Sequence, residues 1–232
     1  MKEIKKGHSK MQIDKKIVYR SESYKAVYRA AYWILYFIYW CITRAKYTGL
    51  EFIPKSVPMT KSTPMVKSAP MILICNHIRN IDAPASVFAL GRRGRYARVF
   101  AKASLWKVPI LKQFFNFLKL IPVHRKSSTA SNSLDVAAKE LEKGEAIVIL
   151  PEGTTSKRAN APLLPFKTGA ARLALKCSDA VLVPAAQDFV NNRLQFKIGE
   201  PIEFAGTQNV QELTDLMREA VDKLLKEIRS GK

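Results

Sequence analysis

The sequence of 232 residues has few of the residue types from which disulfide frameworks and metal sites are built. Only three cysteines occur, and they lie far apart: Cys41, Cys75 and Cys177. An odd number without a CxxC pair excludes a disulfide framework and a cysteine metal site, and it favours a reducing compartment. The histidines are equally few and scattered, which disfavours a histidine-rich metal site: His8, His77 and His124.

Acidic side chains are also scarce. The chain has 19 Asp and Glu against 39 Lys and Arg, so its formal net charge is +20. No Asp or Glu occurs between residues 83 and 134, whereas ten Lys and Arg do. An excess of this size attracts anions such as nucleic acid, an acidic membrane surface or phosphorylated small molecules. The stretch without carboxylates therefore predicts an anion-facing surface.

Residues 30–43 contain no charged side chain and are bracketed by Arg29 and Arg44. Fourteen helical residues span about 21 Å, less than the roughly 30 Å of hydrocarbon in a bilayer. Tyrosines recur at every fourth position from Tyr24 to Tyr36, beside a stripe of Trp and Phe. With the lysines upstream, this pattern predicts a helix that lies in, or dips into, an anionic membrane surface on its cytoplasmic side. A buried core helix and a single-pass signal anchor are the alternatives.

The rest of the chain alternates short apolar runs with helical patterns. Prolines at 54, 58, 64 and 70 predict an extended loop over residues 54–70. Strands are predicted at 45–52, 71–75, 98–101, 121–124, 146–150, 180–185 and 194–198. Helices are predicted at 82–90, 105–118, 134–143 and 165–176, and from Asn209, which would form a capping box with Glu212, to the C-terminus. Asn191-Asn192 is a predicted hairpin turn before the strand at 194–198. This order favours one α/β domain, with a mostly buried mixed sheet flanked by helices, over residues 46–232. Residues 1–45 would form a basic segment with the interfacial helix.

His77 follows a predicted buried strand directly, and Asp82 follows five residues later at a predicted helix start. The two side chains meet only if the chain turns between them. A carboxylate beside a histidine fixes the imidazole tautomer and stabilises the imidazolium, so such a histidine can deprotonate a hydroxyl near neutral pH. Asp82 would also serve as a plain helix cap, and Cys75 as nucleophile with His77 as base is a rival reading.

A second signal is the segment at 150–158, LPEGTTSKR. A predicted buried strand runs into a tight turn with hydroxyl groups and two cations. Backbone N–H groups, hydroxyls and cations together suit a phosphate or an oxyanion, although a loop with a helix cap has the same composition.

Several blocks of sequence, taken in order, resemble one enzyme family. Asn76-His77 with Asp82 is followed by KASLWKVP at 102–109, IPVHR at 121–125, PEGT at 151–154 and VP at 183–184. These blocks resemble those of the PlsC-type glycerolipid acyltransferases, the 1-acyl-sn-glycerol-3-phosphate acyltransferases. The resemblance covers about residues 47–200, and it would make residues 46–232 a glycerolipid acyltransferase domain.

The resemblance implies that His77 is the general base and Asp82 its orienting partner. A second group would hold the phosphate of the acceptor: Lys102, Arg125, Glu152, Gly153 and Thr154. The family transfers an acyl chain from acyl-CoA or acyl-carrier protein to the free hydroxyl of a lysophospholipid. For lysophosphatidic acid the product is phosphatidic acid, and the reaction needs no metal or redox cofactor.

Among the departures from the family's usual pattern, two bear on the acceptor. Arg79 stands where Ser is common, and Thr155 stands where Arg is common. Another lysophospholipid or an amino lipid is therefore an alternative acceptor. An alternative of a different class is a non-catalytic basic protein that binds anionic lipid or nucleic acid. No nucleic-acid-binding motif accompanies the charge, so nucleic acid is not an expected partner.

Overall fold

Seven strands form one mixed sheet in the computed structural model, which describes residues 22–55, 68–81, 84–123, 130–156, 160–205 and 209–231. The strands are β1 (Lys46–Thr48), β2 (Met71–Cys75), β3 (Ala97–Lys102), β4 (Ile121–Val123), β5 (Ala146–Ile149), β6 (Val181–Val190) and β7 (Arg193–Ile198). The helices are α1 (Glu22–Thr43), α2 (Pro84–Gly91), α3 (Pro109–Phe117), α4 (Ala130–Leu141), α5 (Gly169–Lys176) and α6 (Val210–Ser230).

The strand order is β1-β7-β6-β2-β5-β3-β4. Strands β6, β2, β5, β3 and β4 are parallel, β7 is antiparallel to β6, and β1 is parallel to β7. Helices flank the sheet, so the predicted α/β domain with a mixed sheet is confirmed.

Strand β2 lies at the centre of the sheet, and all five of its residues are buried. Ile72 and Ile74 belong to the core beneath α4, α5 and α6. Met71, Leu73 and Cys75 belong to the core on the opposite face, beneath α1 and α2. A strand covered on both faces requires an unbroken apolar run, and this is why the prediction of residues 71–75 matched the strand at both ends.

Helix α1 ends at Thr43, as predicted, but it begins at Glu22 rather than at residue 30. Tyr32, Tyr36 and Tyr39 surround Phe88 of α2, with ring centroids 4.9–5.6 Å from it. The opposite side is exposed and apolar; Trp33 and Phe37 are 55% and 64% exposed. One side of α1 is thus packed on the domain, and the other is open. Within the described ranges, no helix has the length and apolarity needed to cross a membrane.

The prediction of a single helix at 105–118 was wrong. A 3₁₀ turn occupies Ala103–Lys107, and α3 begins only at Pro109. Proline has no N–H to donate and is favoured at the first helical position, so the two segments do not merge.

Strand β1 is shorter than the predicted strand at 45–52. Gly49 follows it with a φ of +73°, and a 3₁₀ turn then covers Leu50–Phe52. A side chain at position 49 would collide with the carbonyl oxygen of Ile198, so both the backbone angle and the space require glycine here.

Two local predictions at the end of the chain are confirmed. Asn191 and Asn192 have φ values of +51° and +58° and join β6 to β7 as a two-residue hairpin turn. Asn209 caps α6: its side chain accepts the Gln211 N–H at 2.7 Å, and the Glu212 carboxylate accepts the Asn209 N–H.

Arg95 fixes both described ends of the proline-rich loop. Its guanidinium donates to the carbonyls of Pro54 at 3.2 Å, Ala69 at 2.8 Å and Gly144 at 3.2 Å. Burial lowers the pKa of Arg95 from its ordinary value, because the charged form loses hydration. The interior of the predicted loop, residues 56–67, lies outside the described residues.

Candidate active site

The carboxyl ends of the parallel strands meet at one edge of the sheet, where ligands bind in open α/β folds. His77 lies two residues beyond β2, and Glu152 lies three residues beyond β5. Lys102 is the last residue of β3. It pairs with Val123 at the end of β4, so Arg125 follows two residues further on. The topology therefore brings the strand ends that precede His77, Lys102 and Glu152 to one edge of the sheet.

The strand register places β5 between the strands that lead to His77 and Lys102. Val148 of β5 pairs with Val99, and Ile149 pairs with Ile74. Strands β2 and β3 are thus two interstrand spacings apart, about 10 Å. Between them, β5 leads to the turn at Glu152.

The main chain of His77 is bound to that turn at both of its polar groups. Its N–H donates to Glu152 Oε1 at 2.7 Å, and its carbonyl accepts the Ser156 N–H at 3.0 Å. Glu152 is only 4% exposed, and its second oxygen accepts the Leu164 N–H at 3.1 Å. A buried carboxylate that accepts backbone N–H groups holds a loop in one geometry. These contacts give Glu152 a positioning role for His77.

On the opposite side, Asn76 is bound to β6. Its side-chain amide and its carbonyl make three hydrogen bonds of 2.8–2.9 Å with Gln187. Both residues are almost fully buried. The residue before His77 is thus fixed by the neighbouring strand.

Gly153 shapes the turn after Glu152. Its φ is +65°, and its N–H donates to the Leu150 carbonyl at 3.0 Å. A Cβ atom at position 153 would lie 2.9 Å from Lys167 Nζ. Glycine is therefore favoured by the backbone angle, whereas a side chain here would displace only the flexible end of Lys167. Lys167 brings an exposed cation to the predicted phosphate-binding turn.

Helix α6 anchors the segment that leads to Lys167. Arg229 donates to the buried Asp188 carboxylate at 2.7 Å and to the Ala161 carbonyl at 2.8 Å. Arg218 donates to the Leu163 carbonyl at 3.3 Å. These bonds hold Ala161 and Leu163 against α6, next to Leu164, whose N–H donates to Glu152. The prediction of a helix from residue 165 was wrong: the Lys167 N–H donates to the Pro151 carbonyl at 2.9 Å rather than to a helical carbonyl, and α5 begins at Gly169.

Two predicted site residues, Asp82 and Arg125, lie outside the described residues. The chain bends and turns over residues 79–81, and α2 begins at Pro84. A turn between His77 and the start of this helix is what the predicted His–Asp pair requires. The pairing itself stays a prediction.

The environment of Cys75 does not suit a catalytic nucleophile. It is fully buried in the core beneath α1 and α2, and its thiol lies 3.7 Å from Asn76 Oδ1. A catalytic thiol must reach solvent or substrate, so the structure disfavours the Cys75–His77 alternative.

Sequence reasoning missed two residues of this edge, Gln187 and Lys167. Gln187 is 111 positions from Asn76, and no local pattern connects them. Lys167 stands in the segment FKTG at 166–169, which also resembles the PlsC-type family, and this was the available signal.

Comparison with known proteins identifies the family. The family model described as Acyltransferase matches residues 44–187, more than half of the chain. The chain belongs to the Acyltransferase family. Within this acyltransferase, the matched region begins after α1 and includes both His77 and the turn at Glu152.

A relative from Schizosaccharomyces pombe, described as an uncharacterized acyltransferase, is 29% identical over 162 residues. The alignment covers 64% of this acyltransferase and 56% of the relative, so the chain spans little more than half of that protein's length. A crystal structure of PlsC, the 1-acyl-sn-glycerophosphate (LPA) acyltransferase of Thermotoga maritima, matches with a TM-score of 0.69 at 20% identity. The match covers 92% of this chain and 84% of that chain, and it shows a shared fold.

Proposed function

We propose that this acyltransferase transfers an acyl chain from acyl-CoA or acyl-carrier protein to the sn-2 hydroxyl of 1-acyl-sn-glycerol-3-phosphate, giving phosphatidic acid. The observation that carries the proposal is the fixed main chain of His77 at the carboxyl edge, beside the Glu152 turn and two strands from Lys102. Family membership and the basic, carboxylate-free stretch support it.

In the proposed reaction, the His77 imidazole takes the proton of the acceptor hydroxyl as its oxygen attacks the thioester carbonyl. The C–O bond forms, the tetrahedral intermediate collapses, and the C–S bond breaks. The imidazolium then returns the proton to the departing thiolate. Asp82 orients the imidazole and stabilises its charged form. A thioester is already activated, so a positioned base and correct orientation suffice without a covalent intermediate, a metal or a redox cofactor.

An acyl-transfer assay in detergent tests the proposal. Wild-type protein is incubated with lysophosphatidic acid and with acyl-CoA or acyl-carrier protein, and release of the free thiol is followed. A panel of other lysophospholipids and an amino lipid defines the acceptor. Transfer to one of these instead would correct the acceptor, and no transfer to any of them from either donor would contradict the enzyme assignment.

Cations should bind the acceptor's phosphate. We expect Lys102→Ala and Lys167→Ala each to raise the KM for lysophosphatidic acid about tenfold, since a charge-assisted hydrogen bond is lost. Arg125→Ala should have the same effect. Lys139→Ala, an exposed lysine of α4, is the matched control and should leave the KM unchanged. An unchanged KM in all three variants would remove these cations from the site.

We also propose that the exposed face of α1 contacts the cytoplasmic surface of the cell membrane. Its large apolar residues are exposed by 39–64%: Val27, Trp33, Ile34, Leu35, Phe37, Ile38, Trp40 and Ile42. A cleft of about 700 Å³ adjoins this face at the end of α1, and its lining includes Trp40, Arg44 and Arg193. Aromatic residues beside arginines suit the boundary between acyl chains and phosphate head groups.

Vesicle binding tests the membrane contact. We expect the double variant Trp33→Ser/Phe37→Ser to partition at least about tenfold more weakly onto phosphatidylglycerol-containing vesicles, because two aromatic side chains no longer enter the bilayer. Val136→Ser removes an exposed apolar residue of α4, 45% exposed, and should bind as wild type does. Equal partitioning of all three proteins in a sedimentation assay would contradict the proposal.

A further inference from the structure

Strand β2 leaves the hydrogen-bond ladder at Asn76, but the side chain of Asn76 continues it. Asn76 Oδ1 accepts the Gln187 N–H at 2.8 Å, and Asn76 Nδ2 donates to the Gln187 carbonyl at 2.9 Å. The side-chain amide thus satisfies both main-chain groups of Gln187, which in a parallel ladder would bond to two different residues of the neighbouring strand. The main chain is thereby released to turn toward β5.

The side chain of Gln187 also binds the main chain of Asn76. Its Nε2 donates to the Asn76 carbonyl at 2.8 Å. The same peptide group donates its N–H, that of His77, to Glu152 Oε1. The Asn76–His77 peptide is therefore bound at its oxygen by β6 and at its nitrogen by the turn after β5.

The next peptide group is bound too, because the His77 carbonyl accepts the Ser156 N–H. Both peptide groups that flank the Cα of His77 are fixed, so its φ and ψ angles are fixed. Only the two side-chain torsions of the imidazole remain to be set.

Gln187 achieves this at a cost. It is 1% exposed, and its Oε1 has no hydrogen-bond partner among the described residues. A buried carbonyl without a partner destabilises a fold, and such groups concentrate where function needs them. An apolar residue of similar length would remove the unpartnered Oε1, but it would also leave the buried Asn76 carbonyl without its Nε2 donor. The glutamine at position 187 is therefore distinguished by its bond to the Asn76 carbonyl, which orients the Asn76–His77 peptide.

We propose that Gln187 is a positioning residue for His77: through the Asn76 carbonyl it sets the plane of the peptide that carries the base. This inference rests on the proposed function of His77. Its effect should appear in turnover rather than in acceptor binding, because Gln187 is buried and acts only through the backbone.

The variant Gln187→Met tests it, since methionine keeps the length of the side chain and removes both polar atoms. We expect kcat to fall about tenfold or more, with the acceptor KM within twofold of wild type. The melting temperature should change little, because loss of the unpartnered Oε1 offsets loss of the donor to the Asn76 carbonyl. The matched control is Thr214→Val, which removes another buried side-chain hydrogen bond, 2.7 Å to Val210 on α6, and should lower the melting temperature without changing kcat.

A second variant, Gln187→Asn, keeps an amide that is one methylene too short for the Asn76 carbonyl, and it should lose kcat similarly. Wild-type kcat in either folded variant would overturn the inference. Unfolding of both variants would also overturn it, because the pair would then serve folding alone. Wild type and His77→Ala are assayed in parallel. If wild type is inactive, or if His77→Ala is fully active, the proposed function fails, and this result is distinct from a failure of the Gln187 inference.

Discussion

We expect His77→Ala to lower kcat for acyl transfer by about 10²- to 10⁴-fold, the contribution typical of a positioned general base. The imidazole is the proposed proton acceptor for the attacking hydroxyl, and alanine leaves no group to replace it. The acceptor KM should change little, because the phosphate is assigned to lysines and Arg125. Steady-state kinetics at saturating donor measures both constants.

The His77→Ala variant should fold as wild type does. His77 is only partly buried, and alanine retains the main-chain bonds to Glu152 and Ser156. The melting temperature checks this, and His8→Ala, at a histidine with no assigned role, is the control. Asp82→Asn should give a smaller loss, since the imidazole remains. Full turnover in His77→Ala would end the proposed mechanism.

The second large effect is expected for Glu152→Gln. Both carboxylate oxygens accept backbone N–H groups, from His77 at 2.7 Å and from Leu164 at 3.1 Å. Glutamine offers one oxygen and one NH₂, so one of these donors would face another donor inside the protein. We expect kcat to fall about 10- to 100-fold through displacement of His77, and the free energy of unfolding to fall by about 1–3 kcal/mol.

Chemical denaturation measures the stability change, and the acyl-transfer assay measures the turnover. Glu227→Gln is the matched control, because Glu227 is a partly exposed glutamate that pairs with Lys197 at 2.8 Å. Such a pair contributes about 0–1 kcal/mol, and the control should retain full activity. If Glu152→Gln behaved like this control in both measurements, Glu152 would have no positioning role.

Elements with a complete local signal were predicted well from the sequence. Strand β2 is apolar at every position, and this pattern fits burial on both faces. The start of α6 was predicted because Asn209 and Glu212 form the capping box within four residues of each other. In both cases the interactions that define the element lie inside the element.

Elements set by distant contacts were predicted poorly. Strand β6 was expected to end at residue 185, because Gln187 and Asp188 interrupt its apolar pattern. The strand continues to Val190, since Asn76 and Arg229 supply partners for these two polar residues. The start of α5 is likewise decided by bonds from distant parts of the chain, which a local pattern does not contain.

The candidate site likewise contains residues that local motifs predict and residues that only distant contacts bring together. His77 and the turn at Glu152 were found from motifs that stay close together in the sequence. The residues that hold His77 in place come from β6 and from the turn after β5, and their roles depend on strand order. Lys167 lies close to Gly153 because of the path of the segment before α5. A local sequence pattern does not contain this path.

The outer strands of the sheet, β1 and β4, have three residues each. A strand this short presents few unpaired backbone groups, so a second molecule gains little by extending the sheet. Aggregation of the purified protein should then arise from the exposed apolar side chains of α1. It should give amorphous particles that a mild surfactant disperses, rather than fibrils with a cross-β repeat.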